Sequence, residues 1–358
     1  MSNQLSANAS RSEAEVGDTL AIHGSLPHWV SWVVLLVCMV ATMVVFHLAA
    51  PDAGLVGPVL VGLIIFFIVN TIILQQAVGT RQRKDRMATV YITTAFVLAV
   101  IPLIALLVGV LVSGAGAMSW NFLSHDGQGA AMANSTAGLG HAIVGTLEVT
   151  LCTAVISIPL GIFTAIYLVE YGRGAFARAI TFLVDIMTGI PSIVAGLFAA
   201  AVFPFIAGNP GYASGIEGSV ALVVLMTPIV VRNTEEMLRL VPNELREASY
   251  ALGVTKARTI LHVVLRTAAS GIVSGCVIAV ARVIGESAPL LITAGTTDYY
   301  NFSLLNNRMM TLPVYVYNRY KGGFYDQAWG GALILVLIVL VLNLIARLIA
   351  RAYAPKSR

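Results

Sequence analysis

The chain has 358 residues, of which 58% are apolar and 11% are charged, and its mean hydropathy is +0.87. Because soluble domains carry about 25% charged residues, this composition excludes a soluble enzyme and an intrinsically disordered chain. The net charge is +4, and no basic cluster is interleaved with aromatic residues, so the sequence shows no binding footprint for nucleic acid.

The uncharged stretches of the chain predict about eight transmembrane helices, since a helix needs about 20 apolar residues to cross a hydrocarbon core of about 30 Å. These stretches cover approximately residues 29–50, 55–78, 89–112, 141–169, 179–207, 218–231, 268–294 and 332–350. Pro191 predicts a kink in the fifth helix. The sixth holds only fourteen uncharged residues, so we expect it to be tilted or to be extended by the polar residues after it. The predicted fold is an all-α polytopic membrane protein.

The basic residues predict that both termini are cytoplasmic, because short cytoplasmic loops retain lysine and arginine. With this orientation, 17 of the 21 basic residues lie in inner segments, three lie in outer segments, and Arg282 lies within a helix. Residues 1–28 lack a basic region followed by an early apolar run. We therefore expect a disordered cytoplasmic tail and no cleaved signal peptide.

The sequence lacks the common motifs of nucleotide, metal and nucleophile chemistry. It contains no G-x-x-x-x-G-K-[ST] phosphate loop, no H-E-x-x-H motif and no G-x-S-x-G elbow. The chain is therefore not expected to be an enzyme or to hold ATP, a metal ion or another cofactor. Transport is the default function for a polytopic chain of this kind.

The inner segment of residues 233–267 is the most informative part of the sequence, because it is long, mixed in charge and built to be helical. Pro242 suits the first position of a helix, Gly253 suits the left-handed conformation that ends one, and Thr255 can cap a second helix. Three residues of the first helix form a narrow apolar stripe, with Glu247 at its edge. They are Leu245, Ala248 and Leu252.

The same segment resembles the coupling loop of ABC importer permeases, whose pattern is E-A-A, three residues, G, nine residues and I-x-L-P. The match is partial: Glu247, Ala248, Gly253 and Leu265 agree with the pattern, whereas Ser249, Val263 and Arg266 replace its second alanine, its isoleucine and its proline. In that family the loop lays a short helix in a groove of a separate ATPase subunit. The resemblance implies that five residues couple this chain to an ATPase: Leu245, Glu247, Ala248, Leu252 and Gly253. The alternative is an ordinary solvated helical loop.

From about Thr89 to the C terminus the chain is similar to the PstA-type permease subunits of bacterial phosphate importers, most clearly at residues 158–172, 189–198 and 281–291. The resemblance implies an ABC importer type I permease fold over residues 81–358, with residues 29–80 as an additional N-terminal helix pair. It also implies import of inorganic phosphate across the bacterial plasma membrane by alternating access. The implied partners are a PstC-like second permease subunit, a dimer of PstB-like ATPase subunits that bind the ATP, an extracytoplasmic PstS-like phosphate-binding protein, phosphate and membrane lipids.

Arg282 and Glu286 are charged residues inside a predicted span, where a charge costs about 2.5 to 3.5 kcal/mol on insertion scales. They are four residues apart, so we expect them to share a helix face, and the family pattern places such a pair on the translocation path. The fixed donors of arginine suit an oxyanion such as phosphate. Glu286 can then hold the guanidinium in place or help the anion to leave. The alternative is a buried ion pair that only fixes helix packing.

Glu148 and Asp185 are two further carboxylates within predicted spans. Neither has a partner that is visible in the sequence, so we expect each to cap or bond the broken backbone near Pro191 rather than to bind substrate.

Two rival functions remain open at this point. One is a permease of the same architecture for another oxyanion, such as sulfate or molybdate. The other is an ion-coupled secondary transporter, which would use the intramembrane carboxylates as proton sites.

Overall fold

The computed structural model describes residues 27, 29–49, 56–77, 80–127 and 137–353. The predicted tail of residues 1–28 lies almost entirely outside this range. No strand occurs within the described residues, and their regular structure is helical. The all-α prediction is therefore confirmed. The chain divides into two compact units, residues 1–105 and 106–358, each of which is described by itself.

The first unit contains α1 (Val30–Ala49), α2 (Val56–Ala77) and the first part of α3 (Thr80–Ala115). Helices α1 and α2 pack together where Gly62 meets α1: a Cβ on Gly62 would lie only 2.6 Å from the Thr42 hydroxyl oxygen. This close approach is typical of membrane helices that use small residues at their contacts. The boundary between the units lies within α3, later in the chain than the predicted start of the permease core at residue 81.

The second unit holds the remaining helices, and two π-helical turns extend or join them. Turn Tyr167–Tyr171 extends α5, and turn Ile260–Val264 joins α10 to α11. The helices are α4 (Trp120–Ser124), α5 (Gly140–Ile166), α6 (Gly174–Gly189), α7 (Ser192–Ala207), α8 (Gly215–Arg239), α9 (Asn243–Ala251), α10 (Lys256–Thr259), α11 (Leu265–Val283), α12 (Ala288–Thr293), α13 (Leu312–Lys321) and α14 (Tyr325–Tyr353).

Helix α8 is the centre of the second unit and packs against α5, α7, α11 and α12. Close packing depends on glycines of its neighbours: a Cβ on Gly161 of α5 would lie 2.6 Å from Val230, and one on Gly275 of α11 would lie 2.7 Å from Asn233. The 25 residues of α8 extend well beyond the predicted span of residues 218–231. The expectation that polar residues lengthen this span is confirmed.

Seven helices of the described residues are long and apolar enough to cross a membrane, and α6 with α7 forms an eighth span if the bent pair is counted as one. The two helices of the pair meet at an angle of 107°. Proline 191 lacks an amide hydrogen and disfavours helical geometry in the residue before it, and Ile190 is extended. The interruption of the fifth span at Pro191 is therefore confirmed, and it is sharper than a kink, because residues 179–207 belong to two helices rather than to one bent helix.

The bent pair crosses the second unit once, because its two ends lie at opposite ends of α8. Just before α6, the backbone carbonyl of Glu170 accepts a hydrogen bond from Lys256, beyond the end of α8. Just after α7, the Tyr212 hydroxyl donates to the Leu305 carbonyl (2.7 Å), and the neighbouring Leu304 carbonyl accepts from Ile216 at the start of α8. Counted in this way, the structure agrees with the eight predicted spans.

Residues 118–127 and 295–311 fold together over the start of α8, and we call this region the loop end. The Gly127 amide donates to the Asp298 carbonyl (2.8 Å), and the Tyr300 hydroxyl donates to the Ser124 carbonyl (2.7 Å). Burial, and then the nearby carboxylate of Asp126, raise the pKa of the Tyr300 hydroxyl. Tyr300 therefore remains a neutral hydrogen-bond donor at physiological pH.

Candidate functional site

Two breaks between helices and a proline inside a third helix meet at one small cavity of about 190 Å³ in the second unit. They are the break between α6 and α7, Pro228 inside α8, and the break between α11 and α12. Interrupted helices leave backbone polar groups without intrahelical partners, and at membrane depth such groups are tolerated only beside protein or water-filled space. The residues that line the cavity are Met187, Thr188, Ile190, Ser192, Leu225, Pro228, Ile229, Arg282, Val283 and Glu286.

Arg282 brings a positive charge to this cavity from the last turn of α11. Its side chain is exposed, and it makes no hydrogen bond or ion pair with any other described residue. Ser192 at the start of α7 lines the same cavity, and that helix end has no side-chain cap. Because the N-terminal end of a helix carries partial positive charge, the cavity combines two features that favour an anion.

Glu286 lines the same cavity but does not lie on the helix of Arg282. Helix α11 ends at Val283, and Glu286 follows in the break before α12, whose first turn contains Pro289. The prediction that the two residues share a face of one helix is therefore wrong. No ion pair joins them within 4 Å in the described part of the chain, so the pair that a pure packing role requires is missing.

Asp185 has a partner that the sequence did not reveal: it forms an ion pair with Arg232 of α8. The network continues from Arg232 to Glu235 (2.9 Å) and from Glu235 to Arg239 (2.6 Å). The expectation that Asp185 bonds the broken backbone near Pro191 is wrong, because an arginine from a distant part of the sequence satisfies it. Glu148 lies on α5, and one of its buried carboxylate oxygens has no hydrogen-bond partner among the described residues.

Glu217, in the first turn of α8, is a buried carboxylate that the span prediction left out. Glu217 is 1% exposed, and both of its carboxylate oxygens lack hydrogen-bond partners within the described residues. The sequence places serine three residues before glutamate, which is a capping-box pattern, and the Ser214 hydroxyl accepts from the Glu217 amide (3.4 Å). The reciprocal bond is not made, because the Ser214 amide donates to the Thr293 carbonyl instead.

Helix α9 lies at the opposite end of α8 from the loop end and carries the coupling-loop motif. Gly253 has a φ of +75°, as predicted for the residue that stops this helix. Pro242 lies one position before the helix, and Thr255 precedes α10 without a capping hydrogen bond from its side chain. The predicted loop of residues 233–267 includes the last residues of α8, all of α9 and α10, and the first residues of α11.

The apolar stripe of α9 faces away from the rest of the chain. Leu245 is 42% exposed and Leu252 is 83% exposed, and Ala248 and Glu247 are also exposed. The inner face is held instead by polar contacts, such as the 2.8 Å hydrogen bond between the hydroxyls of Ser249 and Thr259. This helix therefore carries an exposed apolar stripe on its outer face.

The chain matches the family model described as "Binding-protein-dependent transport system inner membrane component" over residues 157–358, a range that contains both the cavity and α9. It is 43% identical over 284 residues to the phosphate transport system permease protein PstA 1 of Mycobacterium tuberculosis, which covers 78% of this chain and 91% of that protein. It is 41% identical over 281 residues to the phosphate transport system permease protein PstA of Mycobacterium leprae, with coverage of 77% and 91%.

A chain from the crystal structure of a bacterial alginate ABC transporter, in complex with an alginate pentasaccharide-bound periplasmic protein, is similar in structure. The TM-score is 0.57 at 13% identity, and the match covers 77% of this chain and 98% of that chain. This likeness concerns the fold alone, and together with the family match it confirms the predicted ABC importer permease fold. The chain belongs to the family of binding-protein-dependent transport system inner membrane components, as a PstA-type permease subunit of an ABC transporter.

Proposed function

We propose that this chain is a transmembrane permease subunit of an ATP-driven importer of inorganic phosphate. The observation that carries the proposal is the cavity formed by two helix breaks and Pro228, which the guanidinium of Arg282 lines together with the start of α7 and where that guanidinium has no hydrogen-bond or ion-pair partner among the described residues. Arginine binds oxyanions through its fixed donors, and related proteins of 41% and 43% identity are phosphate transport system permeases.

The mechanism that fits this arrangement is alternating access around the cavity. A dimer of PstB-like ATPase subunits would bind ATP and receive the exposed stripe of α9, and a PstC-like second permease subunit would complete the path. An extracytoplasmic PstS-like protein would deliver phosphate to the loop end. Closure of the ATPases would then move α9 and reorient the helices that line the cavity.

The test is uptake of radiolabelled phosphate by vesicles that contain the complete complex, with the external binding protein outside and ATP inside. We expect uptake to require ATP, to survive a protonophore, and to persist in a large excess of sulfate or molybdate. Vesicles that lack this chain are the control. Uptake that sulfate suppresses would assign another oxyanion to the path, and uptake that collapses with the proton gradient but not without ATP would indicate a secondary transporter.

The proposed orientation places both termini and α9 in the cytoplasm and the loop end outside. We expect a membrane-impermeant maleimide to label Asp298→Cys in intact cells, but to label Arg258→Cys and Lys356→Cys only after the membrane is opened. The background protein should have Cys38, Cys152 and Cys276 replaced by serine. Labelling of Arg258→Cys in intact cells, with Asp298→Cys protected, would reverse the orientation.

A further inference from the structure

We propose that Arg246 is a positioning residue: through its bonds to Glu170 and to the end of α8, it transmits the movement of α9 to α5 and α8. The inference rests on the proposed function, because it assigns a role in coupling to ATP hydrolysis. Arg246 lies on α9 and Glu170 lies in the π-helical turn that extends α5. The two residues are 76 positions apart in the sequence.

A single guanidinium group joins three elements of the fold. Its Nε and Nη2 atoms donate to the same carboxylate oxygen of Glu170, at 3.1 and 2.9 Å. Its Nη2 atom also donates to the Leu238 carbonyl at the end of α8 (2.9 Å), and its Nη1 atom donates to the Val241 carbonyl (2.7 Å). Asn243, at the start of α9, accepts a further bond of 3.2 Å.

The pair is well shielded from water, since the side chains of Arg246 and Glu170 are 12% and 6% exposed. The strength of a charge-assisted hydrogen bond is greatest where water is excluded. Lys256 also connects α10 to the turn that contains Glu170. It donates to the backbone carbonyl of Glu170, and its ammonium group lies 4.6 Å from the centre of the Tyr171 ring.

The two faces of α9 therefore differ in their contacts. The outer face is apolar and exposed, whereas the inner face is hydrogen-bonded to the rest of the unit through Arg246 and Ser249. A partner that moves α9 must move the end of α5 and the end of α8 with it. Helix α8 contains Pro228, which lines the cavity, and α5 packs along α8. The ion pair of Arg246 and Glu170 thus connects the apolar stripe of α9 to the helices around Arg282.

Glu170→Ala tests this link because it removes only the connection to α5 and leaves the bonds from Arg246 to the carbonyls of Leu238 and Val241. We expect normal assembly with the ATPase and nearly normal basal ATP hydrolysis, but about fivefold less phosphate moved per ATP hydrolysed. The double variant Glu170→Ala with Arg246→Ala should be no worse in this ratio than Arg246→Ala alone, because both changes remove one link. A residue that only stabilises the fold would lower the yield without changing the ratio.

The matched control is Arg178→Gln, which removes an exposed arginine of α6 that makes no hydrogen bond or ion pair with α9 and should leave the ratio unchanged. A wild-type ratio in an assembled Glu170→Ala complex would overturn the proposal. If that variant does not assemble, Glu170→Gln and Arg246→Lys decide, because the proposal requires a lower ratio in both and a wild-type ratio in either one contradicts it. Failure of the unaltered complex to move phosphate would contradict the proposed function instead. The link would then predict that the external binding protein stimulates ATP hydrolysis less in Glu170→Ala than in the unaltered complex, and equal stimulation would overturn it.

Discussion

Arg282→Gln is expected to lower phosphate uptake by about 100-fold, because a bidentate contact with an anion comprises two charge-assisted hydrogen bonds of about 1.5 to 3 kcal/mol each. Arg282→Lys keeps the charge but loses the fixed fork of donors, and we expect it to cause about a tenfold loss. The measurement is the initial rate of phosphate uptake at equal amounts of assembled complex. Arg266→Gln is the matched control, since Arg266 is an exposed arginine of the same helix and does not line the cavity.

The yield of the Arg282→Gln complex separates a transport role from a packing role. Because Arg282 has no ion pair or hydrogen bond with the other described residues, its loss should leave yield and ATPase assembly close to normal. A lower yield that is restored by Glu286→Gln in the same chain would support packing. Uptake at the normal rate by a well-assembled Arg282→Gln complex would remove this residue from the mechanism.

Gly253→Val is expected to weaken the docking of the ATPase or to uncouple ATP hydrolysis, and to leave membrane insertion intact. Gly253 has a φ of +75°, and no atom lies within 4 Å of the position that a Cβ would occupy. The effect therefore comes from backbone strain alone, which is about 1 to 2 kcal/mol for a left-handed residue and greater for a β-branched one. We expect Gly253→Asn to be tolerated, because asparagine adopts this conformation more readily.

Gly208→Val provides the matched control for Gly253→Val. Gly208 ends α7 with a φ of +63°, and a Cβ there would also meet no atom within 4 Å, but it lies near the loop end. The same strain should there leave coupling unchanged. The measurements are recovery of the ATPase with the purified permease and phosphate moved per ATP. A normal value of both in Gly253→Val would contradict the assignment of α9 to coupling.

The spans and α9 could be predicted from the sequence because both depend on local patterns. An apolar run of sufficient length predicts a span, and the spacing from Glu247 to Gly253 predicts a short helix with its stop. The breaks are harder to locate, since an uncharged run has the same composition whether its helix is continuous or interrupted. Pro191 marked one break, whereas the end of α11 at Val283 was missed although Gly285 and Pro289 follow it.

The partners of the charged residues could not be predicted, because they are supplied by packing between distant segments. Arg232 and Asp185 are 47 residues apart, and Arg246 and Glu170 are 76 residues apart. Counting basic residues places Arg232 and Arg246 in inner segments, but it does not identify the partner of either one. The serine before Glu217 could have indicated a buried helix start, but only the structure shows that Thr293 takes the reciprocal bond.

The charges of α8 have a consequence for the biogenesis of the protein. Glu217 has no partner on its own helix, and Arg232 has one of its partners on α6. Each charge that enters lipid costs about 2.5 to 3.5 kcal/mol near the middle of the bilayer, so α8 is a poor substrate for insertion as a single segment. Helix α12, which is synthesised later, packs against the start of α8: the Ser214 amide donates to the Thr293 carbonyl, and a Cβ on Gly218 would lie 2.9 Å from Leu290. Helix α8 should therefore remain beside the insertion machinery until α12 emerges, and chains truncated before Ala288 should integrate this segment inefficiently.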